Sequence, residues 1–172
     1  MISRRDFLLA ASFSLVGLLG LTSCDGASQG YVKINGEKLS LDKLGELIKD
    51  NELTARKDYV GKDIEVCAPL VSVSSPGNTS VELDSSSLYS HDCPYGWVSI
   101  GTKTTRYLVE LEESDVEIAA GFADGDTIRA TGVFSGFNAL GYITEICLFT
   151  TSSTQLDGGT VNGAATHLEK LD

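Results

Sequence analysis

Apolar and polar residues alternate from Asp63 onward: Ile64, Val66 and Ala68 against Asp63, Glu65 and Cys67. A period of two is the signature of a strand with one buried face. The phase then changes, with Val71 and Val73 apolar and Ser72 and Ser74 polar. The switch falls at Pro69-Leu70, where a proline inside a sheet marks an edge, a strand end or a bulge. Asp58 to Ser75 therefore reads as one long strand bent in its middle, as a barrel corner requires. The alternative is two short strands broken at Pro69.

Upstream, Asn35-Gly36 between two short alternating runs, Tyr31 to Leu39, predicts a hairpin, because both turn positions favour positive φ. Ser40 is placed to cap a helix carrying Leu41, Leu44, Leu47 and Ile48 on one face, with Asp42 in its first turn. That apolar stripe is expected to dock on the end or side of a barrel. A second helical segment is expected over Glu52 to Lys57.

Downstream, Ser75 to Asn78 is a turn cluster, and Thr79 to Leu83 reads as strand two. Ser85 to Gly96 is an insert rich in turn formers. Trp97 to Ile100 and Arg106 to Leu111 read as strand three, interrupted by Gly101 to Thr105. Ser114 to Gly121 predicts a short helix, Thr127 to Phe134 strand four, Gly136 to Gly141 a hairpin loop, and Tyr142 to Phe149 strand five. Beyond Thr150 the chain is rich in Ser, Thr and Gly, which predicts a flexible polar tail over 151–172, with a short helix at Ala164 to Leu171.

The N-terminus carries a different message. Ser3-Arg4-Arg5-Asp6-Phe7-Leu8 resembles the twin-arginine export motif, although Arg-Arg also occurs in ordinary leaders. An apolar run of about 15 residues follows, the length of a signal-peptide core and short of a membrane span. It ends in Leu21-Thr22-Ser23-Cys24, which closely resembles the bacterial lipobox. The resemblance implies cleavage after residue 23 and lipidation of Cys24, with diacylglycerol and any N-acyl chain holding the protein on the extracytoplasmic face of a bacterial membrane. Two or more chains anchor stably where one does not. The expected organisation is a signal peptide over 1–23, a lipidated N-terminus, linker and hairpin over 24–40, a β domain over 41–150, and the tail.

The order of elements is helix, long bent strand, two strands, short helix, Gly-Asp turn and two strands. It resembles an OB-fold, a mainly β, five-stranded Greek-key barrel. Asn51, Ala55, Tyr59, Gly61, Lys62, Gly125-Asp126, Gly132 and Cys147 resemble the tRNA-anticodon-like OB family found in bacterial lipoproteins and other envelope proteins. The likeness covers roughly Leu41 to Phe149. Two features depart from the family pattern: Ala68-Pro69 stands where a glycine marks the strand-one bend, and the Ser85 to Gly96 insert is long.

Net charge is -11 from 13 basic and 24 acidic side chains; loss of Arg4, Arg5 and Asp6 with the leader makes it -12. Such a field repels phosphates, so no nucleic-acid partner is expected. Three cysteines remain besides Cys24 in an exported, disulfide-permitting setting. Cys93–Cys147 is the first pairing and Cys67–Cys93 its rival. His91-Asp92-Cys93 lacks the further ligands that a closed metal site needs. No nucleophile elbow, zinc helix or phosphate loop is present. No metal or cofactor is expected, and no catalytic residue is named. Asp84, Asp92, Glu110, Glu112 and Glu113 are the carboxylates an enzyme would have to use. By analogy with OB barrels, which bind across strands two and three, Tyr89, Tyr95, Trp97 and Tyr107 are the candidate binding surface. The expected role is a non-catalytic module for an envelope peptide, glycan or protein. A structural subunit of a membrane-bound assembly is the alternative, and a carboxylate enzyme comes third.

Overall fold

The structure, a computed structural model, describes residues 30–84, 87–148, 154–156, 159–161 and 166–171. It is mainly β, with one large mixed sheet and three helices. In chain order the strands are β1 (Tyr31–Ile34), β2 (Glu37–Leu39), β3 (Asp63–Ser74), β4 (Gly77–Asp84), β5 (Ser87–Cys93), β6 (Trp97–Gly101), β7 (Thr105–Glu110), β8 (Thr127–Leu140), β9 (Ile143–Leu148), β10 (Thr154–Leu156), β11 (Gly159–Val161) and β12 (His167–Leu171). The helices are α1 (Leu41–Asp50), α2 (Glu52–Tyr59) and α3 (Val116–Ala120), the last led in by a 3-10 turn over Glu113–Asp115.

Five strands pair in a ring. β3 lies against β6, β6 against β7, β7 against β9 in parallel, β9 against β8, and β8 back against β3. β3 closes the ring because it serves two partners. Its first half pairs with β8 from Asp63↔Val133 to Pro69↔Thr127, and its second half pairs with β6 from Leu70↔Ile100 to Ser74↔Trp97. The ladder shifts register between Leu70 and Ser72, so the bulge falls just after Pro69. Ile64, Val66 and Ala68 are buried as the alternation predicts, but Val71 and Val73 are exposed. Past the bulge β3 has left β8 and pairs, among the described residues, with β6 alone, so these two valines stand on an open edge.

Four of the sequence expectations change. Thr79 to Leu83 is not the second strand of the ring. It belongs to β4, which pairs with β5 over Gly77↔Cys93 to Asp84↔Ser87, a hairpin inserted between β3 and β6. The turn-forming composition of Ser85 to Gly96 hid the second arm. β6 and β7 are two strands, joined by a turn at Thr102 to Thr104, not one interrupted strand. β8 runs through the expected loop to Leu140, with a register shift between Phe134 and Gly136, and the turn is at Gly141-Tyr142. Finally, 167–171 is neither helix nor free tail but a strand on β8, with Leu168 buried in the core. His167 and Glu169 are exposed on either side of buried Leu168, a period of two too short to stand out in a polar segment.

The leading hairpin forms as expected, with Asn35 at φ 53° and Gly36 at φ 82°. It is also part of the main sheet, since β1 pairs with β3. Inner rows across β1, β3, β8 and β12 are apolar. Val32, Val66, Ala130 and Leu168 stand in register, and all four are buried.

α1 seats its buried Leu41, Leu44 and Ile48 on the core. Ser40 precedes it but makes no side-chain cap; Asn51 instead caps α2, its Oδ1 accepting from the Thr54 amide at 3.0 Å. Polar contacts fix α1 against the β6–β7 turn. The Tyr107 hydroxyl donates to the Leu41 carbonyl at 2.8 Å, and Asp42 Oδ1 accepts from the hydroxyls of Thr102 and, at 2.7 Å, Thr104. Burial works against the Asp42 carboxylate, but hydrogen bonds from Thr102, Thr104 and Thr105 outweigh it and hold its pKa below the ordinary aspartate value. A carboxylate depressed by folding stabilises above its unfolded titration, and that contribution fades as pH falls through the folded-state pKa. Asp42→Ala is expected to lower urea stability by about 1 kcal/mol at pH 7, the scale of a modest hydrogen-bond loss in a partly screened site. The difference from wild type should shrink as pH falls, and a pH-independent difference would rule out the carboxylate as its source.

Candidate functional site

The outer face of β1, β3, β8 and β12 is a polar ladder. One row across it reads Lys33, Glu65, Thr131 and His167, and the next Tyr31, Cys67, Arg129 and Glu169. Strand alternation sends these residues outward because their neighbours fill the core. The Tyr31 hydroxyl donates to Glu65 Oε1 at 2.8 Å, Lys38 lies over the Tyr31 ring at 4.1 Å, and Arg129 pairs with Glu169 at 3.4 Å.

At one end of this face lies an open groove of about 580 Å³, lined by Lys33, Asn35, Gly36, Lys62, Asp63, Glu65, Thr131 and neighbouring backbone. The Asn35-Gly36 turn makes one wall. The start of β3 makes the floor, where the β3–β8 ladder is extended by Phe134 N–H to the Lys62 carbonyl at 2.9 Å and Gly61 N–H to the Phe134 carbonyl at 2.8 Å. Two ammonium groups and two carboxylates line it without a cysteine, serine or histidine. Such a lining can hold hydroxyls, amides and paired charges through hydrogen bonds. In the sequence, Lys62 is marked only within the family resemblance, and Lys33 and Thr131 are given no role; what could have flagged the two lysines is that they flank the turns that lead into β2 and β3.

The aromatic candidates do not form one surface. Tyr107 is fully buried with its hydroxyl on Leu41, so it is a core residue and leaves the candidate binding set. Tyr95 is exposed, and Trp97 is half-buried against Cys93, Leu108 and Cys147. The Tyr89 and His91 side chains lie outside the described residues, as does Cys24 with the whole leader. The outer face of β6 and β7, where the OB analogy puts the ligand, is largely closed by the chain itself. Ser99, Leu108 and Glu110 are buried there, and the Thr166 hydroxyl donates to the Glu110 carbonyl at 2.8 Å. Cys67, Cys93 and Cys147 are buried, and no disulfide joins them in the structure. Among the described residues no group of three or more His, Cys, Asp or Glu is placed to hold a metal ion, and no helix is long and apolar enough to cross a membrane.

No family model matches the chain, and no curated protein matches it. Among solved structures, it is similar to the solution NMR structure of a replication factor A related protein from Methanobacterium thermoautotrophicum. The identity is 18%, the match covers 66% of this chain and 84% of that one, and the TM-score is 0.35. The expectation of no nucleic-acid partner, drawn from net charge, is corrected on this match. Net charge sums over the whole surface and does not set the charge of one groove, where Lys33 and Lys62 stand beside Asp63 and Glu65. At that TM-score the likeness assigns no ligand.

Proposed function

We propose that this chain is a membrane-anchored extracytoplasmic lipoprotein whose β domain is a non-catalytic binding module for an envelope ligand, a peptide or a glycan. The anchor is Cys24, read from the lipobox-like Leu21-Thr22-Ser23-Cys24. The ring β3–β6–β7–β9–β8, with α3 between β7 and β8, is read as a five-stranded OB-fold barrel of the tRNA-anticodon-like kind. The groove carries the functional reading. It is concave, walled by the Asn35-Gly36 turn, floored by the start of β3, and lined by both signs of charge. Peptides and glycans present the mixture of donors and acceptors that such a lining satisfies.

The test is thermal stabilisation of the detergent-solubilised full chain by neutral oligosaccharides, by short charged peptides and by a single-stranded oligonucleotide. One of the first two classes should stabilise it. A Lys33→Ala/Lys62→Ala double variant should bind at least tenfold more weakly and melt within a few degrees of wild type. Undiminished binding would remove the groove from the reading, and stabilisation by the oligonucleotide alone would replace the ligand class. Cys24→Ser should move the protein from the membrane to the soluble fraction; an unchanged membrane fraction would refute lipidation.

A specific observation favours the accessory-subunit alternative. Among the described residues, Ser72 to Ser74 pair on one side only, with β6, and Val71 at the bulge and Val73 are 36% and 43% exposed. An open edge with exposed β-branched residues can accept a partner strand. A stable stoichiometric complex recovered from solubilised membranes, and lost on Val73→Lys, would favour that role.

A further inference from the structure

We propose that Cys93 and Cys147 are the two halves of one disulfide, formed when the chain folds in an oxidising setting, which ties the inserted hairpin to the outer wall of the barrel. The inference rests on the exported location proposed above for its oxidising setting, and on the packing for its pairing.

Tyr107 and Val109 point into the core, so Leu108 between them points out, and Cys147 stands opposite Leu108 in the parallel β7–β9 register. Cys93 ends β5, opposite Gly77 at the base of the hairpin. Its carbonyl accepts from the Gly96 amide at 3.0 Å, which turns the chain into β6. Both cysteines are fully buried, and with Leu108 and the half-buried Trp97 they make a small apolar cluster separate from the main core. Cys67 sits elsewhere. It is buried too, but on the wall made by β1, β3 and β8, opposite Tyr31 and Arg129. It is no part of the cluster that brings Cys93 and Cys147 together, which leaves those two as the pair.

The chemistry fixes when the bond forms. Burial, then the charges of Glu110 and Asp92, push the Cys93 thiol up to about 12. Burial, with Glu145 and Cys93 itself, raises Cys147 well above the ordinary thiol range. Thiolate is the reactive species, so the closed, reduced cluster is inert. The bond must form before the hairpin base closes. One thiolate attacks a sulfur of a protein or small-molecule disulfide, releasing one thiol of that oxidant. The second thiolate attacks the mixed bond, releasing the other. The chain loses two protons and two electrons, and the oxidant leaves as its dithiol. Burial then shields the product from reductants.

The experiment refolds the denatured, reduced full chain in a glutathione redox buffer, blocks remaining thiols in denaturant, and maps peptides by mass spectrometry. A Cys93–Cys147 peptide with Cys67 alkylated is expected. A bridge that includes Cys67, or three alkylated thiols, would overturn the pairing. Reduction should lower Tm by about 10 °C, the scale of losing a long-loop disulfide in a chain of this size. Cys93→Ser, Cys147→Ser and the double variant should melt alike, and additive losses would count against a bond. The same mapping on protein alkylated during extraction from membranes separates the two readings. If the refolded chain is bridged and the extracted chain is not, the pairing stands and the exported location fails.

Discussion

Gly96→Ala is expected to cost about 3–5 kcal/mol, a large share of the stability of an ordinary domain. Two effects combine. Gly96 has φ of 90°, a left-handed conformation that an L side chain adopts only with strain of about 1–2 kcal/mol. In addition, a Cβ there would lie 2.1 Å from the Ser74 carbonyl oxygen. That contact is backbone, so no rotamer change relieves it, and the overlap adds on the order of 1–3 kcal/mol. The strand end cannot simply retreat. Gly96 donates to the Cys93 carbonyl and accepts from the Leu111 amide at 3.0 Å each, while Ser74 pairs with Trp97. The readout is the urea midpoint of Gly96→Ala beside Gly125→Ala. Gly125 also has positive φ, but its Cβ would meet nothing within 4 Å. Equal losses in the two would mean that φ alone matters and that the Ser74 contact is relaxed.

Phe137→Ala is expected to cost a similar 3–5 kcal/mol, by a different route. Phe137 lies inside the ring, fully buried, where its strand carries Phe134 on the other side of the bulge. The two rings stand edge to face with centroids 6.3 Å apart, and the Arg56 guanidinium of α2 lies over Phe137 at 4.5 Å. Truncation removes apolar burial, leaves a cavity that barrel walls cannot close, and strips the cation of its aromatic partner. Phe137→Leu keeps most of the volume and should lose about 1–2 kcal/mol, from the aromatic contacts and the change of shape. If Phe137→Leu were as destabilising as Phe137→Ala, the Arg56 contact rather than the cavity would dominate. A double-mutant cycle with Arg56→Ala would then show a coupling of the same size.

Both sites also show where the sequence could be read. Strands with one wet face announce themselves by alternation, so Ile64, Val66 and Ala68 were legible, and so were the Asn35-Gly36 turn and the helix stripe of Leu41, Leu44 and Ile48. What misled was composition standing in for pattern. Ser87 to Cys93 holds strand geometry through backbone pairing to β4, although its Ser, His and Asp content resembles a loop. Gly136 sits inside β8, opposite Cys147 just past the register shift, and the chain does not turn there. Leu168 is one apolar residue in a polar terminus, too little signal to show that β8 has an edge waiting for it. Pro69 marked the bend, but one position early, and nothing local said that Val71 and Val73 would face water. The aromatic set failed for a plainer reason. A tyrosine in a strand has the same sequence signature inside and outside, and only the position of Leu41 above the barrel end fixes Tyr107 inward. The groove was invisible because Lys33, Lys62 and Thr131 come from three distant segments that only strand register brings together.

The register of β1 on β3 has a geometric corollary under the proposed lipid attachment. Only six residues, Asp25 to Gly30, separate Cys24 from Tyr31, a leash of about 20 Å at full stretch. The domain must therefore ride close to the bilayer, with the Tyr31 end of its first strand nearest the headgroups. On that attachment the Asn35-Gly36 rim, at the far end of the strand from the tether, would have the freest access to the space beyond the headgroups.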